Sequence, residues 1–445
     1  MIEYKKYFKD KRITVVGLGL LGRGLGDVRF LAAQGADLIV TDLKDSEALN
    51  SSLQQLRDFP HIHYTLGHHD KADFQDRDLI LNGPAVPLDS PYIAWARSRG
   101  IPITMSVALF ARLVRQEGAM VIGVTGTRGK STTTYLIADI ARTTGRRVLL
   151  GGNIQGISTL ALLPEVTRDT IVVLELDSWQ LQGFRQEKLS PDIAVFTTLY
   201  PDHLNYYHGD MDLYLRDKAE IFLHQSNKDT LILGEQVSDI VQKKYAGQIE
   251  SHVIVTNQKD VPDDWQLRIP GIHNRANAAC AIAVGHTLGI GEERIRAACE
   301  GFEGIAGRLQ FVRELRGISI YNDTTATTPE ATIAGLRALD PEEKRNTVLI
   351  MGGADKGLNM SALVPEISLH CKKAILLAGS GTEKIRGDLG NTPVYHTLES
   401  ALRAALDVSS VGDVILFSPA FASFGMFKNE YDRGEQFMHA VQELS

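Results

Sequence analysis

The chain has 445 residues, too many for one ordinary core, and at about 150 residues per domain it predicts about three domains. A net charge of −7 argues against a nucleic-acid-binding surface as the main function and points to small-molecule partners. The sequence contains no apolar run of about 18 residues able to span a membrane, and its N-terminus lacks an apolar stretch of signal-peptide length. Three separated cysteines, Cys280, Cys299 and Cys371, form no Cys-x-x-Cys pair, which fits a reducing, cytoplasmic setting.

The first third opens with a strand-like Arg12–Val16, then Gly17-Leu18-Gly19-Leu20-Leu21-Gly22, a helix-like segment ending at Gly35, and a second strand closing on Asp42. This is a dinucleotide-fold fingerprint. It suits a nicotinamide cofactor, the diphosphate of another nucleotide, or a purely structural turn, and alone it does not choose among them. Further strands are expected at Asp78–Asn82 and Ile101–Thr104, with a Gly83-Pro84 turn between them.

The middle third begins with the apolar run Val121–Val124, which breaks into Thr125-Gly126-Thr127-Arg128-Gly129-Lys130-Ser131 before a helical pattern ending near Gly145. A strand that runs through glycines into Lys-Ser and a helix N-terminus is built for phosphate. Glycine lets backbone N–H groups approach, the helix end favours negative charge, the lysine adds a cation and the serine a hydroxyl for Mg²⁺. It predicts an ATP site, in a tighter variant of the usual spacing. The buried-type strand Ile171–Leu176 carries Glu175 near its end, where a carboxylate can hold Mg²⁺ directly or through water, or simply face solvent. Past the strand Ile193–Phe196 come Asp202-His203-Leu204 and, in a stretch read as loop, Lys218. Asn274 and Asn277, three apart at the start of an alanine-rich helix, share a face and can read a purine edge or cap the helix.

In the last third, strand-like runs at Ile318–Asn322, Thr347–Met351, Lys373–Leu377 and Asp413–Phe417 alternate with helical patterns at Pro329–Leu339 and Phe427–Leu444, predicting a mostly parallel α/β sheet. The strand ends carry polar or glycine residues: Asp323-Thr324-Thr325, Gly352-Gly353, Gly379-Ser380-Gly381 and Ser418-Pro419. Ligands of open α/β sheets bind at such ends.

Taken together, Gly126 to Ser131, Leu174-Glu175-Leu176 with Gln180, Asp202-His203-Leu204, Lys218, His273-Asn274 with Asn277, Asp323, and Gly352-Gly353 with Asp355-Lys356 stand in an order and spacing that resemble the Mur ligase family over essentially the whole chain. Within it, the N-terminal fingerprint, Gly151-Gly152-Asn153, and the Ser418–Phe424, Phe427–Asn429 and Arg433-Gly434 segments are most similar to the glutamate-adding branch. The resemblance implies an α/β protein of three domains. These are a Rossmann-like UDP-sugar-binding domain (1–110), a central P-loop ATPase-type, mostly parallel sheet (111–304) and a C-terminal Rossmann-like amino-acid-binding domain (305–445).

The resemblance settles the first fingerprint in favour of UDP over NAD. It implies an ATP-dependent ligase of cytoplasmic peptidoglycan precursor synthesis that joins UDP-N-acetylmuramoyl-L-alanine to glutamate through an acyl phosphate. D-glutamate is the expected isomer and L-glutamate the alternative. Implied roles follow. Gly19, Leu20, Asp42, Lys44 and Asn153 touch the UDP-sugar. Gly126, Thr127, Gly129, Lys130, Ser131 and Thr132 cradle phosphates. Ser131, Glu175 and His203 hold up to two Mg²⁺, with Lys130, His203 and Lys218 as catalytic groups and Lys218 carbamylated. Asn274 and Asn277 meet adenine, Arg308 a phosphate and Asp323 the ribose. Thr327, Lys356 and Ser423 bind the incoming carboxylates. A monomer, with neither nucleic acid nor membrane insertion, is implied as well.

Five positions depart from the family pattern. Leu21 stands for threonine, Arg128 for asparagine, Asp177 for serine, Thr325 for lysine and Glu430 for an aromatic residue. An NAD-dependent dehydrogenase, the reading from another class, rests on the first fingerprint alone and leaves Lys130, Glu175 and His203 without a role.

Overall fold

The computed structural model describes residues 4–20, 22–390 and 392–444; Leu21 and the contact expected of it lie outside them. The described chain forms three sheets. The first comprises β1 (Arg12–Val16), β2 (Asp37–Asp42), β3 (His63–Leu66), β4 (Leu79–Asn82) and β5 (Ile103–Thr104), ordered β3-β2-β1-β4-β5 with parallel pairings. The second comprises β6 (Met120–Thr125), β7 (Val148–Gly152), β8 (Ile171–Glu175), β9 (Ile193–Phe196), β10 (Thr230–Gly234) and β11 (His252–Thr256), ordered β11-β10-β9-β6-β8-β7 and again parallel. Every residue of β8, β9 and β10 is buried, as strands covered by helices on both faces require.

The third sheet comprises β12 (Gln310–Leu315), β13 (Ile318–Asn322), β14 (Thr347–Gly352), β15 (Cys371–Leu377), β16 (Val394–Tyr395) and β17 (Val414–Phe417), ordered β12-β13-β17-β14-β15-β16. Only the β12–β13 pair is antiparallel among the described pairings, and β12 was not expected from the sequence. It turns at Arg316-Gly317, whose φ angles of 54° and 74° are both positive, as the tightest hairpin turns require.

By their contacts the residues fall into two compact units. One is 1–261 with 276–299, and the other is 262–275 with 300–445. The first unit holds the first two sheets, joined by the helix Ser106–Gln116, which buries Val107, Leu109, Phe110, Leu113 and Val114. Removing one such aromatic side chain, Phe110, from water contributes about 2–3 kcal/mol.

Strand order positions the site. In the second sheet the chain moves from β6 out to β7, returns to β8 and then crosses to β9, so β6 is a topological switch point. The loops that follow β6, β8 and β9 therefore converge at one edge, where open α/β sheets bind ligands. The helix expected at Phe427–Leu444 is shorter, Glu430–Gln442, because Asn429 caps it by accepting from Tyr431 and Asp432 N–H.

Candidate active site

Beyond β6 the chain enters the phosphate loop. Gly126 and Gly129 take φ of 146° and 87°, and Gly129 directly precedes the helix Lys130–Arg142 with no side-chain cap on its first turn. The N–H groups of such a first turn, with the helix dipole behind them, suit an anion. The loop is braced from β9's side. Thr127 N–H donates to Thr198 O (2.7 Å), Arg128 N–H to Thr198 Oγ1 (2.9 Å), and Thr197 Oγ1 to Arg128 O (2.6 Å). Lys130 Nζ lies over the loop, donating to Gly126 O (3.0 Å) and Thr127 O (3.3 Å). Ser131 is buried and Thr132 half-buried in the first helical turn. A Cβ on Gly129 would collide with the Asn277 amide, which places Asn277 against the loop.

Glu175 ends β8, 4% exposed, and accepts from Asn153 Nδ2 at 3.2 Å. Asp177 begins the next helix in a reciprocal cap. Gln180 N–H donates to Asp177 Oδ1 (2.7 Å) and Asp177 N–H donates to Gln180 Oε1 (3.2 Å). Both Asp177 and Gln180 are thus committed to holding the strand–helix turn that presents Glu175.

His203 follows β9 with φ of 53°, a conformation uncommon outside glycine, and its ring lies 4.6 Å from that of Trp179. Burial lowers its pKa below the usual histidine value, against the pull of Asp202. Asp202 pairs with Arg128 at 3.1 Å, so the unusual arginine of the phosphate loop anchors the His203 loop.

Lys218, expected in a loop, lies instead on the helix Met211–Ala219 and is 1% exposed. Its periodicity went unread because that helix is short and mixed in polarity. Lys218 Nζ donates to Gly126 O at 2.9 Å and approaches Thr125 Oγ1 at 3.4 Å. Burial, and then the charge of Lys130, drive its pKa well below the normal lysine value.

In the first sheet, both Asp42 oxygens are engaged. Gly19 N–H donates to Oδ2 (3.1 Å) and Lys44 N–H to Oδ1 (2.9 Å). Asp42 therefore fixes the backbone of two loops, with Leu20 62% exposed beside them and Lys44 on the surface. One neighbour was missed by sequence reasoning. Arg23 Nη1 donates to Asn153 Oδ1 at 2.6 Å, and an arginine at a helix start gives no signal distinguishing it from a solvated side chain.

In the second unit, Asp323 directly follows β13 and is held by Leu309 N–H (2.9 Å) and the Ser418 hydroxyl (2.8 Å). Burial pushes its carboxyl up to about 7, against those bonds and the nearby charge of Arg308, whose side chain is exposed. Lys356 Nζ donates to Thr327 Oγ1 at 3.0 Å, and Ser423 is buried. Thr325 turns its hydroxyl onto Gly307 O (2.9 Å), so this position offers the site no cation. Arg433 is fully buried and donates to Thr324 O (2.8 Å) and Phe421 O (3.2 Å), clamping two strand-end loops rather than facing a ligand. Glu430, the other departure in this unit, accepts from Thr324 Oγ1 through its backbone O (3.1 Å). Asn274 side-chain N–H donates to Pro270 O (2.8 Å), capping its own turn, while Asn277 belongs with the first unit.

The raised Asp323 pKa carries a sign. The folded protein keeps this proton up to about pH 7, whereas the unfolded chain releases it near about pH 4. Its stabilisation is full below the lower value and lost as pH rises through the upper one. Asp323→Asn should therefore gain thermal stability relative to the parent as pH rises from about 4 to about 7. Parallel unfolding-temperature profiles of the two proteins would refute this.

The Mur ligase MurD-like N-terminal domain matches residues 11–105, the Mur ligase middle domain 124–266, and the Mur ligase glutamate ligase domain 307–421. A UDP-N-acetylmuramoylalanine–D-glutamate ligase of Roseiflexus sp. is 38% identical, covering 98% of this chain and 99% of its own. One from Borreliella burgdorferi is 34% identical, covering 98% of each. Among solved structures, UDP-N-acetylmuramate–alanine ligase of Thermotoga maritima shares the fold at a TM-score of 0.61 and 20% identity, over 97% of this chain and 99% of its own. With a phosphate loop, a buried lysine beneath it and relatives matching end to end, the chain belongs to the Mur ligase family.

Proposed function

We propose that this chain is the ATP-dependent ligase that joins D-glutamate to UDP-N-acetylmuramoyl-L-alanine in peptidoglycan precursor synthesis. The observation that carries the reading is the buried Lys218 amine lying against the phosphate loop, in a chain matched along its whole length by D-glutamate ligases. A carboxylate is a poor electrophile, so its oxygen attacks the γ-phosphorus of ATP and ADP leaves. The amine of glutamate then attacks the acyl carbon, the C–O bond to phosphate breaks, and the ammonium proton passes to solvent or a nearby base. Both steps crowd anions. Lys130, the loop N–H groups and Arg128 supply the compensating positive charge.

The donor set suits Mg²⁺, a hard cation that prefers oxygen. Glu175 is buried with a single side-chain donor among the described residues, and Ser131 presents a hydroxyl at the helix start, so these two would hold the ion, with His203 at the rim for a second. Bound there, Mg²⁺ would neutralise phosphate charge and polarise the transferred group. Burial and the charge of Lys130 disfavour the ammonium form of Lys218, which eases the attack of its amine on carbon dioxide. The amine nitrogen bonds to carbon as one C=O π pair moves to oxygen, a proton leaves, and an anionic carbamate takes the place of an amine whose charged form Lys130 would repel.

Around the first sheet, Gly19, Leu20, Asp42, Lys44 and Asn153 take the UDP-sugar. Around the last, Thr327, Lys356 and Ser423 take glutamate, while Asn274, Asn277, Arg308 and Asp323 meet ADP. The parts fall at 1–110, 111–304 and 305–445, and the enzyme works as a cytoplasmic monomer. No helix among the described residues is long and apolar enough to cross a membrane, and none of Cys280, Cys299 and Cys371 forms a disulfide.

Arg128 gives one check. Arg128→Ala frees Asp202 and removes a cation beside the phosphates, and turnover should fall about tenfold with little change in the KM for the sugar nucleotide. Unchanged turnover would assign Arg128 no part in catalysis. The reading of the second substrate is tested by the mass of the product formed with ATP, Mg²⁺ and UDP-N-acetylmuramoyl-L-alanine. A glutamyl adduct with the D-isomer alone is expected, and an adduct with the L-isomer alone would overturn the stereochemical assignment.

A further inference from the structure

Asn153 joins two parts of the first unit. Its backbone N–H donates to Glu175 O (2.7 Å) and its side-chain Nδ2 to Glu175 Oε1 (3.2 Å), while its Oδ1 accepts from Arg23 Nη1 (2.6 Å). Arg23 is the first residue of the helix Arg23–Ala33, which starts from the glycine loop of the first sheet. Arginine has only donors, so it claims the amide oxygen and turns the NH₂ group of Asn153 toward the carboxylate. The acceptor-only carboxylate asks for the same orientation, and the arginine locks it from the oxygen end.

The helix gains little from this arginine beyond its charge attraction to Asp27, one turn on. A cation at a helix N-terminus opposes the dipole by about 0.3–1 kcal/mol, and Arg23 makes no salt bridge among the described residues. The contact is braced from both sides. Ser158 Oγ donates to Asp27 Oδ1 (2.6 Å), and Gly26 and Ser158 approach so closely that a Cβ on Gly26 would lie 2.5 Å from Ser158 Cβ. Gly152 N–H, in turn, donates to Thr159 Oγ1 at 2.9 Å, tying the Asn153 turn to the same loop.

We infer that Arg23 is a positioning residue that orients the Glu175 carboxylate through Asn153, coupling the sugar-nucleotide loop to the metal side of the ATP site. It rests on the ligase reading above. Outer partners that orient a metal-ligating group are typically worth about 10–100-fold in metal affinity.

The test is calorimetric binding of a non-hydrolysable ATP analogue to the full chain, with and without Mg²⁺, alongside binding of UDP-N-acetylmuramoyl-L-alanine. Arg23→Leu should weaken Mg²⁺-dependent analogue binding about tenfold and metal-free binding less than about twofold, at an unchanged unfolding temperature. Arg23→Lys keeps a donor and should hold within about threefold of the parent. Equal losses with and without Mg²⁺, or no loss in either, would overturn the inference. If Arg23→Leu unfolds early, Arg23→Lys decides alone: Mg²⁺-dependent binding near the parent value supports the role, and its loss refutes it. A parent protein that binds neither the analogue nor the sugar nucleotide would instead refute the ligase reading.

Discussion

Lys218→Met is expected to abolish ligation while making the protein more heat-stable. Its turnover should fall on the order of 10³-fold or more, because the amine beside the glycine loop that we propose becomes a carbamate is lost. Stability should move the other way. The folded-state pKa of Lys218 is depressed by burial and by Lys130, so the unfolded chain holds this proton more tightly than the folded chain does. That mismatch costs stability at every pH below the normal lysine pKa, and the cost shrinks as pH rises toward it. Methionine fills a similar volume without the penalty, and Gly126 O keeps a donor in Lys130 Nζ at 3.0 Å. An unfolding temperature raised by about 2 °C or more is therefore expected near neutral pH. Incubation with isotope-labelled bicarbonate should give a carbamate carbonyl resonance in the parent and none in the variant. A Lys218→Met protein that is both active and less stable would contradict the placement of this lysine.

Gly129→Ala should cost ATP binding about 100-fold and leave the sugar-nucleotide site intact. Glycine is required here twice over. Its φ of 87° carries a penalty of about 1–2 kcal/mol for an L-residue, and the new Cβ would push into the Asn277 amide. Shifting either partner moves N–H groups that aim at phosphate. Separate calorimetric titrations with ATP and with UDP-N-acetylmuramoyl-L-alanine check this. An unchanged ATP affinity would show that the loop carries no phosphate, and a parallel loss of both ligands would signal general unfolding.

Much of the site was legible because its signals are local. The glycines, Lys130 and Ser131 sit within one strand–turn–helix, and their spacing alone predicts the geometry found after β6. Glu175 was legible for the same reason, at the end of an all-buried strand. Lys218 was not. Its helix brings it beneath a loop 92 residues earlier in the chain, a pairing fixed by tertiary packing. The departure at Asp177 was visible as a substitution, yet its meaning as a helix cap emerges only with the Gln180 bonds in place. Thr325 is comparable. The missing cation can be read from the sequence, whereas the turn of its hydroxyl onto Gly307 depends on a loop 18 residues away. Strand β12 escaped because Gln310–Leu315 carries charges and a partly exposed face, as an edge strand does. Arg23 had no local signal at all.

The central claim is that this site activates a carboxylate by phosphorylating it. UDP-N-acetylmuramoyl-L-alanine labelled with heavy oxygen in its terminal carboxylate tests that claim directly when incubated with ATP, Mg²⁺ and D-glutamate. Because the attacking oxygen stays with phosphorus when the amine displaces phosphate, each phosphate released alongside ligated product should carry one heavy oxygen from the sugar nucleotide. Ligated product accompanied by unlabelled phosphate would contradict the account.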